Sequence, residues 1–199
     1  MPYARMAEPR EAFVWDRFVR VFHWTTVALV ATAFTVDDHW LHEAVGLAVL
    51  PLVATRVIWG FVGPAHARFS DFVVRPSGVL AYLRAARARH APRYLGHNPA
   101  GGAMVVALLA LLPIVALSGW MSQTDRWFGV PWVSDLHAVS ANLLLLLAGL
   151  HVAGVIVSTL LHRENYIRAM FTGRKPARLP GEEAEDEHSA PAGPGLYPG

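Results

Sequence analysis

The sequence predicts an all-α protein, a four-transmembrane-helix bundle with a short interfacial helix in its longest loop. Three observations predict it. Of 199 residues, 54% are hydrophobic and only 16% charged, with a mean hydropathy of +0.33, a balance that points to membrane rather than to a soluble core. Four apolar runs are long enough, with their flanks, to cross a bilayer as helices. Lys and Arg fall between those runs in a lopsided pattern.

The first span reads RFVRVFHWTTVALVATAFTV, with its apolar part from Val21 to Val36 and Arg17 and Arg20 placed to snorkel at its start. It reads as a retained span rather than a cleaved leader, because Glu8, Glu11 and Asp16 precede it. After the link DDHW, the second span runs from Leu41 to Val62 and carries His42, Glu43 and Arg56. On a helix His42, Gly46, Val49, Val53, Arg56 and Gly60 share one stripe. The small residues there fit either close helix packing or a bulky flat group near the backbone.

The longest loop, Gly63 to Gly102, contains HARFSDF and then PSGVLAYLRAARAR. Val79, Leu80, Tyr82 and Leu83 followed by Arg84, Arg87 and Arg89 suit a helix on the membrane surface, with Ser77 as its expected cap. The third span, Ala103 to Trp120, has no histidine and no charge, and its Ser118 and Gly119 read as packing residues. Trp127, Pro131 and Trp132 in the next link suit an interfacial aromatic belt. The fourth span, Leu136 to Leu161, carries His137 and His151. Residues 1–175 are expected to form the membrane domain. Residues 176–199, rich in Pro, Gly and acidic residues, are expected to be a disordered cytoplasmic tail.

Lys and Arg number four in residues 1–20, six in the long loop and five after the fourth span, against Arg126 alone on the opposite side. The positive-inside rule then makes both termini and the long loop cytoplasmic, in a bacterial inner membrane. The sequence pI of 9.3 follows from those loops and not from a nucleic-acid groove, since no basic stretch interleaved with aromatics occurs. There is no cysteine, which excludes disulfides, covalently attached haem and thiolate-held iron–sulfur clusters.

Histidine is therefore the ligand type available for metal chemistry. Fourteen residues separate His137 from His151, a rise of about 21 Å with a return to within roughly 40° of one helix face. Ala141, Leu144 and Ala148 lie between them. A single histidine in a span most often hydrogen-bonds a neighbouring helix, but two ionisable groups on one face point to function. With the topology above, His42 matches His137 in depth near the outer side, and His23 matches His151 near the cytoplasmic side. Two imidazoles from different helices at one level suit a flat ring held axially, so two b-type haems stacked across the membrane are the expected occupants. Arg56 either faces a haem propionate or snorkels to the cytoplasmic surface. His39 is a possible substitute for His42. His66, His90, His97, His162 and His188 read as solvated loop or tail residues.

RVFHW at Arg20 to Trp24, HEAVG at His42 to Gly46, GHNPAG at Gly96 to Gly101 and HAVSANLLLLLAGLHVAGV at His137 to Val155 together resemble the bacterial cytochrome b561 family. That family includes cytochrome b subunits of nickel–iron hydrogenases and formate dehydrogenases. The resemblance implies two non-covalent haem b groups with His23, His42, His137 and His151 as axial ligands, and a quinone or redox-protein partner such as a c-type cytochrome. Transmembrane electron transfer is the expected function. The alternatives are an oxidoreductase acting itself on a small substrate, such as a superoxide:quinone or ferric reductase, or a haem-free metal or proton transporter. A transporter should show broken spans or mid-depth carboxylates, and neither is evident in the sequence.

Overall fold

The computed structural model describes residues 11–177. In chain order its elements are β1 (Glu11–Phe13), α1 (Arg17–Thr35), α2 (His39–Val62), a 3-10 turn (Ala65–Ala67), α3 (Phe69–Phe72), α4 (Pro76–Arg87), α5 (Pro99–Gln123), α6 (Pro131–His162), α7 (Tyr166–Thr172) and β2 (Arg174–Pro176). The helices α1, α2, α5 and α6 are each long and apolar enough to cross a membrane. The chain is an all-α, multi-pass membrane protein built on a four-helix bundle.

Polar caps set where α1, α2 and α5 begin, which is why they start before the apolar runs do. Asp16 accepts a hydrogen bond from the Val19 amide at 3.0 Å, Asp38 from Leu41 at 2.7 Å and Asn98 from Gly101 at 2.7 Å. The helices α4, α5 and α6 open on proline, whose missing N–H costs nothing in the first turn. In α4 the cap position falls on Arg75 and no side chain caps it, so Ser77 lies inside the first turn instead of serving as the expected cap.

Val49 and Val53 of α2, Leu109, Leu111 and Leu112 of α5 and Leu144 of α6 form the core, with Phe22, Leu29 and Val30 of α1 against it. The close pairings are α1 with α2, α2 with α5, and α5 with α6, whereas α6 meets α1 and α2 far less closely. Outside the spans, α4 turns Tyr82 inward and leaves Leu80, Leu83, Arg84 and Arg87 exposed, the pattern expected of the interfacial helix.

One end of the bundle is closed by the two short strands, which the sequence reading did not foresee. They pair antiparallel, Glu11 with Pro176 and Phe13 with Arg174. Gly173, at φ 82°, makes the turn into β2, and its carbonyl accepts from the Val14 and Trp15 amides. A side chain at Gly173 would meet the Trp15 carbonyl at 2.6 Å. Beneath the strands Arg93 pairs with Glu164, and Lys175 Nζ lies 3.8 Å from the same carboxylate and 4.1 Å from the Tyr166 ring. Glu164 and Lys175 are buried, and burial lowers the Lys175 amine to about 8 against the pull of Glu164. Pro176 ends β2, and the rest of the expected tail beyond residue 177 lies outside the described residues.

Candidate functional site

The four span histidines meet in two pairs, each bridging helices that do not pack closely together. At the far end, opposite the strands, His42 of α2 faces His137 of α6 with ring centroids 6.1 Å apart. At the strand end His23 of α1 faces His151 of α6 with centroids 6.2 Å apart. An iron bound by two imidazole nitrogens at about 2.0 Å each, with roughly 1.1 Å from each nitrogen to its ring centre, requires about 6.2 Å between centroids. Among the described residues no group of three or more His, Cys, Asp or Glu could hold a metal ion. An ion between either pair must therefore arrive with further ligands of its own, as it does in a macrocycle.

Backbone carbonyls fix the far-end rings. His42 Nδ1–H donates to Ala33 O at 2.9 Å, and His137 Nδ1–H donates to Val115 O at 3.0 Å. Each Nε2 is then the lone-pair nitrogen, the tautomer a metal needs. A cavity of about 380 Å³ lies here, lined by both rings together with Gly46, Ala141, Leu29, Val49, Leu112 and Leu144. That volume is in the range of bound small molecules, about 300–1,000 Å³. A side chain added at Gly46 would meet nothing within 4 Å, so the glycine leaves open space and is not a packing contact. Gly60 on the same stripe is the opposite case, since an added Cβ would lie 2.2 Å from the Phe69 ring.

The helix without histidines also serves the site. Gly119 lets His137 lie against α5, where an added Cβ would come within 2.9 Å of Cε1. The sequence reading gave Gly119 to packing, and only the position of the His137 ring reveals its use.

At the strand end the site carries buried nitrogens without partners. Arg20 Nε, His23 Nδ1, Arg56 Nη1 and His97 Nδ1 are buried without hydrogen-bond partners. Arg56 is 2% exposed, so it does not snorkel to the surface; its Nη2 donates to Ala67 O at 3.2 Å and the guanidinium lies over the Phe69 ring. A buried guanidinium with one face unpaired suits an anionic group. His39 Nε2 lies 3.1 Å from the Gln123 side-chain oxygen, whereas it is His42 that faces His137. His97 is not a solvated loop residue, since its ring lies between Trp15 and Phe72, each 4.6 Å away by centroid.

The sequence pattern of the family described as prokaryotic cytochrome b561 matches residues 14–173, from the strand-end turn through all four spans to Gly173. The chain belongs to the prokaryotic cytochrome b561 family. Two relatives are each described as a probable Ni/Fe-hydrogenase B-type cytochrome subunit. The one from Bradyrhizobium diazoefficiens is 22% identical and the match covers 83% of this chain and 86% of the relative. The one from Rhizobium leguminosarum bv. viciae is 22% identical over 84% of this chain and 90% of the relative. No solved structure matches the chain. As a cytochrome b561, the protein is a membrane b-type cytochrome that transfers electrons with haem b. The paired histidines and the gap beside Gly46 fit that group on the structure's own geometry.

Proposed function

We propose that this cytochrome carries electrons across the bacterial inner membrane through two non-covalent b haems, one between His42 and His137 and one between His23 and His151, linking the quinone pool to a redox partner protein. The observation that supports it is the near-equality of the two ring separations, 6.1 and 6.2 Å, at two levels of one bundle. When bound, haem iron supplies one-electron oxidation and reduction at each level.

The chain's own residues define the rest. His42 with His137, and His23 with His151, would each hold a haem from two sides, and a group so held would pass electrons rather than carry out bond chemistry. The carbonyls of Ala33 and Val115 hold the far-end rings in the ligating tautomer. Leu29, Val49, Leu112 and Leu144 give the far-end gap apolar walls, and Gly46 and Ala141 leave it wide enough for a flat group. Arg56 offers its unpaired Nη1 to a haem carboxylate.

The positive-inside count supports a topology with the strand end and the long loop on the cytoplasmic side and the far end on the periplasmic side. The hydrogenase subunits among the relatives favour a redox enzyme as partner, and a c-type cytochrome at the far end is the other candidate. Superoxide is disfavoured as a substrate because Asp37 and Glu43 line the far-end cavity and repel an anion. A reduced-minus-oxidised spectrum with haem quantification tests the proposal. Two b haems per chain, removed by acid and organic solvent, are expected; one or none overturns it.

A further inference from the structure

The strand end holds a histidine for which the relay described above has no use. His97 lies one residue before Asn98, whose side chain caps α5, and one after Gly96, where an added Cβ would stand 3.0 Å from His66 Nδ1. The backbone is thus fixed on both sides. Trp15 and Phe72 flank the imidazole, and its Nδ1 is buried with no partner. Aromatic contacts join it to Arg56: Phe72 meets Phe69 at 5.8 Å, and the Arg56 guanidinium lies 5.6 Å from the Phe69 centroid.

Burial, followed by the charge of Arg56 and then by Lys175, His151 and His66, holds the His97 imidazole neutral, with its pKa lowered to about 3. The nearby carboxylates face other groups, although Glu164 Oε2, 3.8 Å from Lys175 Nζ, makes no hydrogen bond. Asp71 pairs with His66 at 3.1 Å, Glu164 with Arg93, and Asp16 with the Val19 amide and Trp59 Nε1. Arg56 Nη1 and His97 Nδ1 are both buried without a partner; the guanidinium can only donate, and in its Nδ1–H tautomer the imidazole donates as well. Buried donors are seldom left so, and a carboxylate answers both.

We propose that His97 is a positioning residue for the haem held between His23 and His151, and that its Nδ1–H together with Arg56 Nη1 takes up a carboxylate of that haem. The assignment rests on the two-haem reading. It gives the GHNPAG segment a role that ordinary loop packing does not.

The test uses the full chain in detergent in two backgrounds: His42→Ala, which leaves the strand-end haem, and His23→Ala, which leaves the far-end haem. In each, His97→Leu and His97→Asn are compared for the rate at which haem passes to excess apomyoglobin. The asparagine amide places an N–H close to the position of the lost Nδ1. In the first background His97→Leu is expected to speed release about tenfold or more, the loss of one hydrogen bond to a charged group, and His97→Asn to recover most of it. In the second background neither substitution changes release. Equal acceleration in both backgrounds identifies a merely structural residue and overturns the proposal, as does unchanged release in both, or an asparagine variant as fast as leucine. If the His42→Ala chain binds no haem at all, the two-haem reading itself fails and the assignment fails with it. If that chain binds haem and His97→Leu leaves its release unaltered, only the role of His97 is lost.

Discussion

His42 and His137 face each other across 6.1 Å, ring centroid to ring centroid, and each turns its Nδ1–H away from the other to a backbone carbonyl. Each bond ties its ring to a neighbouring helix, and together they aim both Nε2 atoms away from those helices. Here His42 bonds back to α1 at Ala33 and His137 to α5 at Val115, leaving two lone pairs for the space between them. The helices that carry the two rings are not closely packed, so the gap is part of the fold.

Replacing one histidine of a pair therefore has a local effect. His42→Ala is expected to remove the far-end haem and spare the strand-end one, so haem per chain falls from two to about one. His23→Ala is expected to do the reverse. Haem quantification with potentiometry on each purified variant checks this; loss of the same haem in both would show the pairing to be wrong.

The helix α6 supplies one ligand to each pair, so His137→Ala with His151→Ala should leave little stable haem. A group that binds only the folded state stabilises it by about 4 kcal/mol when present at a thousand times its dissociation constant. The melting temperature of the double variant in detergent should fall accordingly. Full haem occupancy after both substitutions would sink the assignment.

The spans and the four histidines were legible because hydropathy and a fourteen-residue spacing are local properties of the sequence. Span ends were less so: Ala103 and Leu136 were the expected starts, but Asn98 and the prolines at 99 and 131 carry the helices further. What stayed hidden depends on contacts between distant residues. Glu164 and Lys175 are buried beside strands that pair across the length of the chain, and His97 read as a loop residue because Trp15 and Phe72, which flank its ring, are far from it in the chain. Three-residue strands have no periodicity from which to be read.

Lys175 gives a pH prediction with a definite sign. Its amine is lowered from 10.5 to about 8 by burial, with Glu164 opposing and Arg93 adding to the shift. The open chain therefore holds this proton where the fold does not, and stability rises with pH from about 8 upward. Tyr166, whose phenol burial raises above 10.0, acts in the opposite sense only once the open chain ionises there, so the clean window is about 8 to 10. Across it wild type should gain roughly 2 kcal/mol that Lys175→Met lacks, at 1.36 kcal/mol per unit. Thermal melts of both proteins at several pH values check the difference in slope, and parallel slopes would contradict it.

The two glycines of the α2 stripe separate space kept for a cofactor from space used by packing. At Gly46 an added Cβ meets nothing within 4 Å and points into the far-end cavity, whereas at Gly60 it strikes the Phe69 ring at 2.2 Å. Gly46→Leu should keep the fold, because replacing a helical glycine favours the helix by about 0.5–1 kcal/mol. Its side chain should nevertheless occupy the volume between His42 and His137 and expel the far-end haem, leaving the strand-end haem in place. Gly60→Leu should do the opposite. Phe69 must move, the packing of α2 on the long loop is disturbed, and overpacking of this kind costs about 1–3 kcal/mol. The far-end haem, remote from Gly60, should stay bound. Haem per chain and melting temperature measured on both variants decide the matter: a Gly46→Leu protein that retains both haems means the cavity beside His42 is not where the group sits, whatever the histidines do.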